Sequence, residues 1–407
     1  MSIDSQETTT GALSNAWNLY VGADICRDVQ AALNREWFVT NGLGGYAGSS
    51  IAGATTRSYH GLLVAALHPP VDRTVLVTKI DEEIELPDGH VLKLGVNEYQ
   101  DGTIDPQGYN YLERFALEGD VACFRYALEN NLRLEKRIWM EYGQNTTYVQ
   151  YMLHDLSENE LNDATLNLSL LPFCLYRDHH STTQGSHDWH FLVEAQGNSC
   201  RIRAYEGAQA YRLIAGPTAT FASGGDWYWH VLHRRDRERG LPDLDDVYQP
   251  GVFRVQMSPG ERMTLVLSAE EAIATEFGGT HHEDAVVEAH RRHARRNRQL
   301  LDIADRSSAN LAQQDPVRAR LVIAADQFIV ARPEKKGDQS NGRQAFRLSP
   351  DRKTIIAGYP WFTDWGRDSM ISLLGLLLCT RRFSEARGLI KAFASYTHQG
   401  LIPNRFP

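Results

Sequence analysis

The hydrophobic pattern of this chain changes its period near residue 280, and this change constrains the fold more than any other feature. Between Trp37 and about Glu270, short apolar runs alternate with polar residues and turn signals, which is typical of β-strands. The clearest predicted strands are 61–67, 75–78, 121–126, 147–152, 166–170 and 263–267. A dozen or so short strands of this kind predict a large antiparallel β-sandwich.

After residue 280 the apolar residues recur with the period of helices. Acidic residues early in 284–301 and arginines towards its end match the helix dipole. The predicted helices are 284–301, 316–331, 369–380 and 383–396, with a loop at 332–341. We therefore predict a multidomain protein, β then α: a sandwich domain at 1–275, a linker helix at 276–305 and a helical domain at 306–407.

Composition excludes several classes of protein. The net charge of -9 disfavours nucleic acid as the principal partner, because phosphate binding needs clustered cations. The N-terminus has no basic and apolar secretory signal, and the apolar run 370–379 is too short to cross a bilayer, so no membrane partner is expected. Five widely spaced cysteines, none at metal or redox spacing, indicate reduced thiols and a cytoplasmic location.

The densest chemical signal is the segment 357–369, AGYPWFTDWGRDS, which leads into an apolar helix. Aromatic rings match the apolar face of a neutral sugar, a carboxylate accepts from hydroxyl groups, and a guanidinium donates to their oxygens. Trp361, Trp365, Arg367 and Asp368 are therefore candidates for a sugar-binding site. The structural alternative is that Asp368 caps the helix and the aromatic residues belong to a core.

A glycine-rich run, NGLGGYAG at 41–48, lies after a predicted strand. A dinucleotide-binding loop would have to open a helix, whereas the chain here returns to a strand near Tyr59. We predict that Arg57, Tyr59 and His60 lie on a strand, with Arg57 and Tyr59 on one face and His60 on the other. These residues either reach a sugar site or form a packed contact between domains.

The remaining polar clusters have plain structural interpretations. His290 and His293 are one helical turn apart, but five neighbouring arginines would repel a cation, so no metal site is expected. The arginine-rich helix is predicted to be solvated and to pair Glu288 with Arg292. Arg177 and Asp178 are predicted to form a buried pair in the sandwich.

Two motif clusters, in the right order, resemble one enzyme family. The segment 358–371, GYPWFTDWGRDSMI, looks like the opening of the α-glucosidase domain of glycogen debranching enzymes of the amylo-α-1,6-glucosidase type. An earlier cluster, EWFVTNGLGGYA at 36–47 followed by TRSYHGLL at 56–63, is similar to the first strands of that family. Further matches lie at 177–180, 239–240, 250–251, 388–394 and 400–404.

The resemblance implies an N-terminal β-supersandwich followed by an (α/α)6 barrel. It implies glycogen debranching by hydrolysis of α-1,6-linked glucose from limit dextrins with inversion, without metal or organic cofactor, and an α-glucan as partner. By likeness to related inverting glucosidases, Arg367 and Asp368 would hold hydroxyls of the terminal glucose, and Trp365 would stack against it or wall the subsite. The catalytic acid and base are expected beyond Pro407, so they are unknown in this sequence.

Helix counting leads to the expectation that the chain is a fragment. Twelve helices of ordinary length need well over ~180 residues, whereas roughly a hundred follow position 305. Barrel-helix faces such as Leu373, Leu374 and Leu377 would then be exposed. The alternatives are a non-catalytic glucan-binding or structural fragment, and another glucosidase or sugar phosphorylase with a sandwich and a barrel.

Overall fold

A computed structural model describes residues 18–156, 165–277, 281–305, 311–333 and 348–405. Its N-terminal part contains two large antiparallel sheets. The nine-stranded sheet has the order β1-β9-β10-β11-β12-β19-β16-β15-β14. Its strands are β1 (Leu19–Val21), β9 (Leu112–Glu118), β10 (Val121–Ala127), β11 (Leu132–Met140), β12 (Thr146–Asp155), β14 (Leu192–Gln196), β15 (Ser199–Arg203), β16 (Tyr211–Ile214) and β19 (Arg262–Ser268).

The second sheet has eight strands in the order β17-β18-β13-β5-β4-β3-β2, with β6 paired to β5. Its strands are β2 (Glu36–Thr40), β3 (Tyr46–Ser50), β4 (Gly61–His68), β5 (Val71–Glu85), β6 (Val91–Lys93), β13 (Leu166–Asp178), β17 (Thr220–Leu232) and β18 (Leu244–Met257). Two smaller antiparallel pairs are β7 (Val96–Glu98) with β8 (Ile104–Gln107), and β20 (Ile329–Pro333) with β21 (Leu348–Ile355).

Alternation along the strands places the main core between the two large sheets. On β11, Leu134 and Ile138 belong to this core, whereas Trp139 belongs to a second cluster on the other face of the sheet. Successive strand residues point to opposite faces, so one strand serves both clusters. Val286 and Ala289, from a helix after the sandwich, complete the second cluster. The predicted antiparallel β-sandwich is therefore confirmed at the level of two packed, sandwich-like sheets.

The helices of the described chain are short, apart from one. They are α1 (Ala23–Cys26), α2 (Val29–Leu33), α3 (Arg234–Arg237), α4 (Ile273–Glu276), α5 (His282–Ala304), α6 (Leu311–Gln314), α7 (Pro316–Asp326), α8 (Gly366–Leu373) and α9 (Phe383–Ala394). A 3-10 turn covers Gly108–Tyr111, and α8 continues into a π-helical turn at Leu374–Leu378. The (α/α)6 barrel and the domain boundaries stay predictions. Within the described ranges, no helix combines the length and apolarity needed to cross a membrane.

The predicted helix 316–331 is wrong at its end. The helix α7 stops at Asp326, and β20 begins at Ile329, inside the predicted helical stretch. The amide of Ala331 donates to the carbonyl of Gly42 in the sandwich at 2.8 Å, so this part of the chain is extended by contacts with distant residues. The first two residues of the predicted loop 332–341 belong to β20, which ends at Pro333, so the loop prediction is wrong there. The rest of the predicted loop, 334–341, lies outside the described residues.

Two predicted ion pairs are also wrong, because the groups have other partners. Arg177 pairs with Asp245 at 2.7 Å instead of the exposed side chain of Asp178. On α5, Glu288 pairs with Arg295. Arg292 instead reaches Glu141 on the sandwich at 2.9 Å, and buried Val286 and Ala289 show that this helix is docked rather than solvated on all sides.

Candidate functional site

The segment 357–369, which carries four of the predicted site residues, is held in place by a residue of the sandwich. Arg73, from β5, is 1% exposed and donates from one guanidinium nitrogen to the carbonyl of Pro360 at 2.7 Å. A second nitrogen donates to the carbonyl of Phe362. The guanidinium carbon also lies 5.3 Å from the centre of the Tyr359 ring. One buried side chain of the sheet thus fixes the backbone on both sides of Trp361.

Trp361 lies next to two other predicted site residues. The Tyr59 ring is 6.4 Å from the Trp361 ring, centre to centre, with the planes at 70°. The Arg57 guanidinium carbon lies 5.4 Å from the same indole ring, and Glu36 holds that guanidinium by an ion pair of 2.7 Å. The guanidinium of Arg239 lies 6.0 Å from the indole as well. The sequence reasoning did not assign Arg239 to the site.

The residues 56–60 form a turn rather than the predicted strand, with the amide of His60 donating to the carbonyl of Arg57 at 3.0 Å. A buried network sets this turn. Asp236 accepts from the amide of Ser58 at 2.7 Å, and Arg177 donates to the carbonyl of Ser58 at 2.8 Å. Both anchors are buried, so the turn presents its side chains from a fixed backbone.

His60 supports this turn from inside. Its ring nitrogen Nδ1 accepts from the amide of Thr56 at 3.1 Å, and no ring contact joins it to Trp361 in the described parts of the chain. Burial, with a smaller contribution from the charge of Arg57, lowers the pKa of His60 to about 3. The imidazole is therefore neutral near pH 7, as its acceptor role at Nδ1 requires.

Trp365, Arg367 and Asp368 lie at the start of α8. Trp365 is the N-cap residue and provides no side-chain cap, while Asp368 is in the first turn. Within the described residues, no hydrogen bond, ion pair or ring contact engages the side chain of any of these three. The neighbouring Asp364 differs, since it is buried and paired with Arg332. An indole, a guanidinium and a carboxylate that have no partner among the described residues thus stand close together along the chain.

The structure sorts the predicted site residues other than His60 into two groups. One is Trp361 with Arg57 and Tyr59, and the other is Trp365, Arg367 and Asp368 beside the segment 403–405. In the described part of the chain, no side-chain hydrogen bond, ion pair or ring contact connects the two groups. They are joined through the backbone of 361–368, which Arg73 holds at one end.

Among the described residues, no cluster of three or more His, Cys, Asp or Glu side chains has the geometry to hold a metal ion. The two histidines singled out in the sequence have other partners. His293 lies 2.7 Å from Asp120, and His290 packs against Trp139 with 5.5 Å between ring centres. The glycine-rich run 41–48 leads into β3 and not into a helix, so it lacks the geometry of a dinucleotide-binding loop.

Comparison with known proteins decides the family. The family model described as "Glycogen debranching enzyme N terminal" matches residues 35–264, more than half of the 407 residues. The chain belongs to the glycogen debranching enzyme family. A second family model, described as "Amylo-alpha-1,6-glucosidase", matches residues 323–407, which include all four candidate residues between Trp361 and Asp368.

Two individual proteins illustrate the similarity of this debranching-family chain. A glycogen debranching enzyme of Saccharomyces cerevisiae is 50% identical over 56 residues, which cover 12% of this chain and 4% of the yeast protein. The crystal structure of a bacterial glucoamylase complexed with acarbose aligns with a TM-score of 0.38 at 11% identity, covering 92% of this chain and 50% of the other. The matched parts thus amount to half or less of each relative's length.

Proposed function

We propose that this chain binds the non-reducing end of an α-glucan, through Arg367 and Asp368, as part of a glycogen-debranching α-1,6-glucosidase. The observation that carries the proposal is that both side chains lack a partner among the described residues, although they stand at the ordered start of a helix. Membership of the debranching family supplies the substrate class: glycogen or a limit dextrin.

The chemistry of the two groups suits a terminal glucose. A carboxylate accepts hydrogen bonds from two adjacent hydroxyl groups, and a guanidinium donates to hydroxyl oxygens with its planar array of N–H groups. The indole of Trp365 matches the apolar face of the ring. The second group, Trp361 with Arg57 and Tyr59, contacts glucose units further from the non-reducing end of the glucan.

The reaction that we propose is hydrolysis of the α-1,6 bond with inversion. Such a reaction uses a carboxylic acid that protonates the leaving oxygen and a carboxylate that activates water, about 6.5–9.5 Å apart. We assign Asp368 to binding and place both catalytic carboxylates outside residues 1–407. These residues alone therefore act as a binding unit in our proposal. The cytoplasmic location inferred from the sequence also stays a prediction.

A binding experiment tests the proposal. The trisaccharide panose ends in an α-1,6-linked glucose, and its dissociation constant can be measured by 19F NMR on the chain labelled with 5-fluorotryptophan. The Trp365→Phe variant assigns the Trp365 signal. We expect Asp368→Asn to raise the dissociation constant about 10- to 100-fold, which is the size expected when a charge-assisted hydrogen bond is lost. The matched control is Asp284→Asn, which alters an exposed acid in the first turn of α5.

Equal affinity of Asp368→Asn and the unaltered chain would contradict the binding role, as would equal affinity for the β-linked sugar cellotriose. A second arm incubates the purified 407-residue chain with a limit dextrin and measures released glucose. We expect none. Clear turnover would overturn our placement of the acid and base.

A further inference from the structure

The start of α8 is held by a segment that lies far along the chain. The amide of Gly366 donates to the backbone carbonyl of Asn404 at 2.7 Å. The next amide, that of Arg367, donates to the side-chain Oδ1 of Asn404 at 2.8 Å. Trp365 and Arg405 form an isolated antiparallel bridge beside these bonds. Three successive residues at the start of α8 are thus fixed by 404–405.

These bonds replace a local helix cap. The first four amides of a helix have no acceptor within it, and a preceding Ser, Thr, Asp or Asn side chain usually supplies one. Here the N-cap residue is Trp365, which makes no side-chain cap. Asn404, 37 positions beyond Arg367, provides the acceptors instead. The orientation of the first turn therefore depends on a tertiary contact.

Gly366 makes this contact possible for a steric reason. A Cβ atom at this position would lie 2.8 Å from the carbonyl oxygen of Pro403 and 3.3 Å from the Cα of Asn404. Both atoms belong to backbone, which cannot turn aside as a flexible side chain can. Gly375, in the π-helical turn after α8, differs, because no described atom lies within 4 Å of its Cβ position.

We propose that Asn404 is a positioning residue for the glucose-binding pair, with Gly366 as the counterpart that lets it approach. The inference rests on the proposed function of Arg367 and Asp368. The residue Arg367 is one of the binding pair and is also the residue whose amide Asn404 holds. Asn404 itself touches no sugar in this proposal. It sets the backbone from which the guanidinium and the carboxylate project.

Four variants test the inference, with panose as the probe and the 19F signal of Trp365 as the readout. We expect Asn404→Ala to raise the dissociation constant about 5- to 20-fold, the size of a lost helix cap. Asn404→Asp keeps an oxygen acceptor and should bind within about 2-fold of the unaltered chain. Gly366→Ala should weaken binding like Asn404→Ala, and Gly375→Ala should leave it unchanged.

Amide hydrogen exchange of a peptide that covers Arg367 gives a second readout, which does not depend on the sugar. Faster exchange in Asn404→Ala, together with weaker binding, supports the proposal. Faster exchange with unchanged binding overturns the positioning role, and so does an equal loss of binding in Asn404→Asp or Gly375→Ala. If the unaltered chain binds no panose, the proposed function fails, and the positioning role fails with it.

Discussion

At the scale of single residues, Arg73 shows how the sandwich determines the geometry around Trp361. Its guanidinium is buried and has no carboxylate partner among the described residues, and backbone carbonyls of Pro360 and Phe362 accept its hydrogen bonds. A buried charge is tolerated only when such bonds compensate for the lost hydration. The planar guanidinium can reach two carbonyls at once, which the single ammonium of lysine cannot do with the same geometry.

We therefore expect Arg73→Lys to lower the free energy of unfolding by about 1.5–3 kcal/mol, the contribution of hydrogen bonds to a charged group. Urea unfolding followed by tryptophan fluorescence measures this change. Arg254→Lys is the control, since Arg254 is an exposed residue of β18. Equal midpoints for Arg73→Lys and the unaltered chain would show that the two carbonyl bonds contribute nothing to stability.

The residues around Trp361 also show which parts of a candidate site can be predicted from sequence. Trp361, Arg57 and Tyr59 stood out because each lies in a dense local motif of aromatic and polar side chains. Arg73 and Arg239 carry no such local signal: the first is one polar residue in a long strand, and the second ends an arginine-rich stretch. Only the fold brings Arg73 to the backbone on both sides of Trp361, and Arg239 to its indole ring.

At the scale of elements, α5 is fastened to the sandwich by a partly buried ion pair. His293 lies 2.7 Å from Asp120. Burial disfavours the charged form of both groups, but the attraction between the opposite charges and the hydrogen bond between them outweigh this effect. They raise the pKa of His293 above 6.5 and lower that of Asp120 to about 2. His290 stays neutral, because burial, with the nearby His293 charge, lowers its pKa to about 4.

The direction of each shift sets the pH range of this contact. The folded-state pKa of His293 is raised, so its stabilisation is fully present below pH 6.5 and is lost as the pH rises through the raised value. The pKa of Asp120 is lowered, so its stabilisation is present above pH 3.8 and is lost as the pH falls through about 2. The docking of α5 is therefore strongest between these limits.

We expect His293→Gln to lower the free energy of unfolding by about 1.5–3 kcal/mol at pH 6, and by less at pH 9, because the stabilisation by the charged histidine is lost as the pH rises through its raised pKa. Urea unfolding at the two pH values measures the difference. His281→Gln is the control, because this exposed residue precedes the same helix without capping it. If His293→Gln lowered the free energy of unfolding by the same amount at both pH values, the charged pair would be ruled out as the cause.

At the scale of the whole molecule, the helical part has large apolar side chains on its surface. Ile371 is 72% exposed and Leu374 is 63% exposed. The expectation that Leu377 is also exposed is wrong, since it is fully buried in a small core with Ile329 and Phe393. That core is shared between β20 and α9, so the strands that were not foreseen in this region provide its packing.

This contrast gives a prediction from two leucines three positions apart. Leu377→Ala should cost about 2–5 kcal/mol of unfolding free energy, because it leaves a cavity in the small core. Leu374→Lys should change that free energy by no more than about 0.5 kcal/mol, while it lowers the binding of a hydrophobic dye to the folded chain. Urea unfolding and dye fluorescence measure the two effects. Equal destabilisation by both changes would contradict the assignment of Leu377 to the small core and of Leu374 to the surface.

The sequence by itself determined the order of a sandwich before helices, the family, and the segment that carries Trp361, Arg367 and Asp368. Strand alternation, helix periodicity and a dense motif are local patterns, and local patterns can be read without coordinates. The tertiary structure alone decided the end of α7 at Asp326, the partner of Arg177, and the contacts of Arg73 and Asn404 with the site segment. Each of these depends on residues distant in the chain, whose approach is set by the packing of the whole molecule.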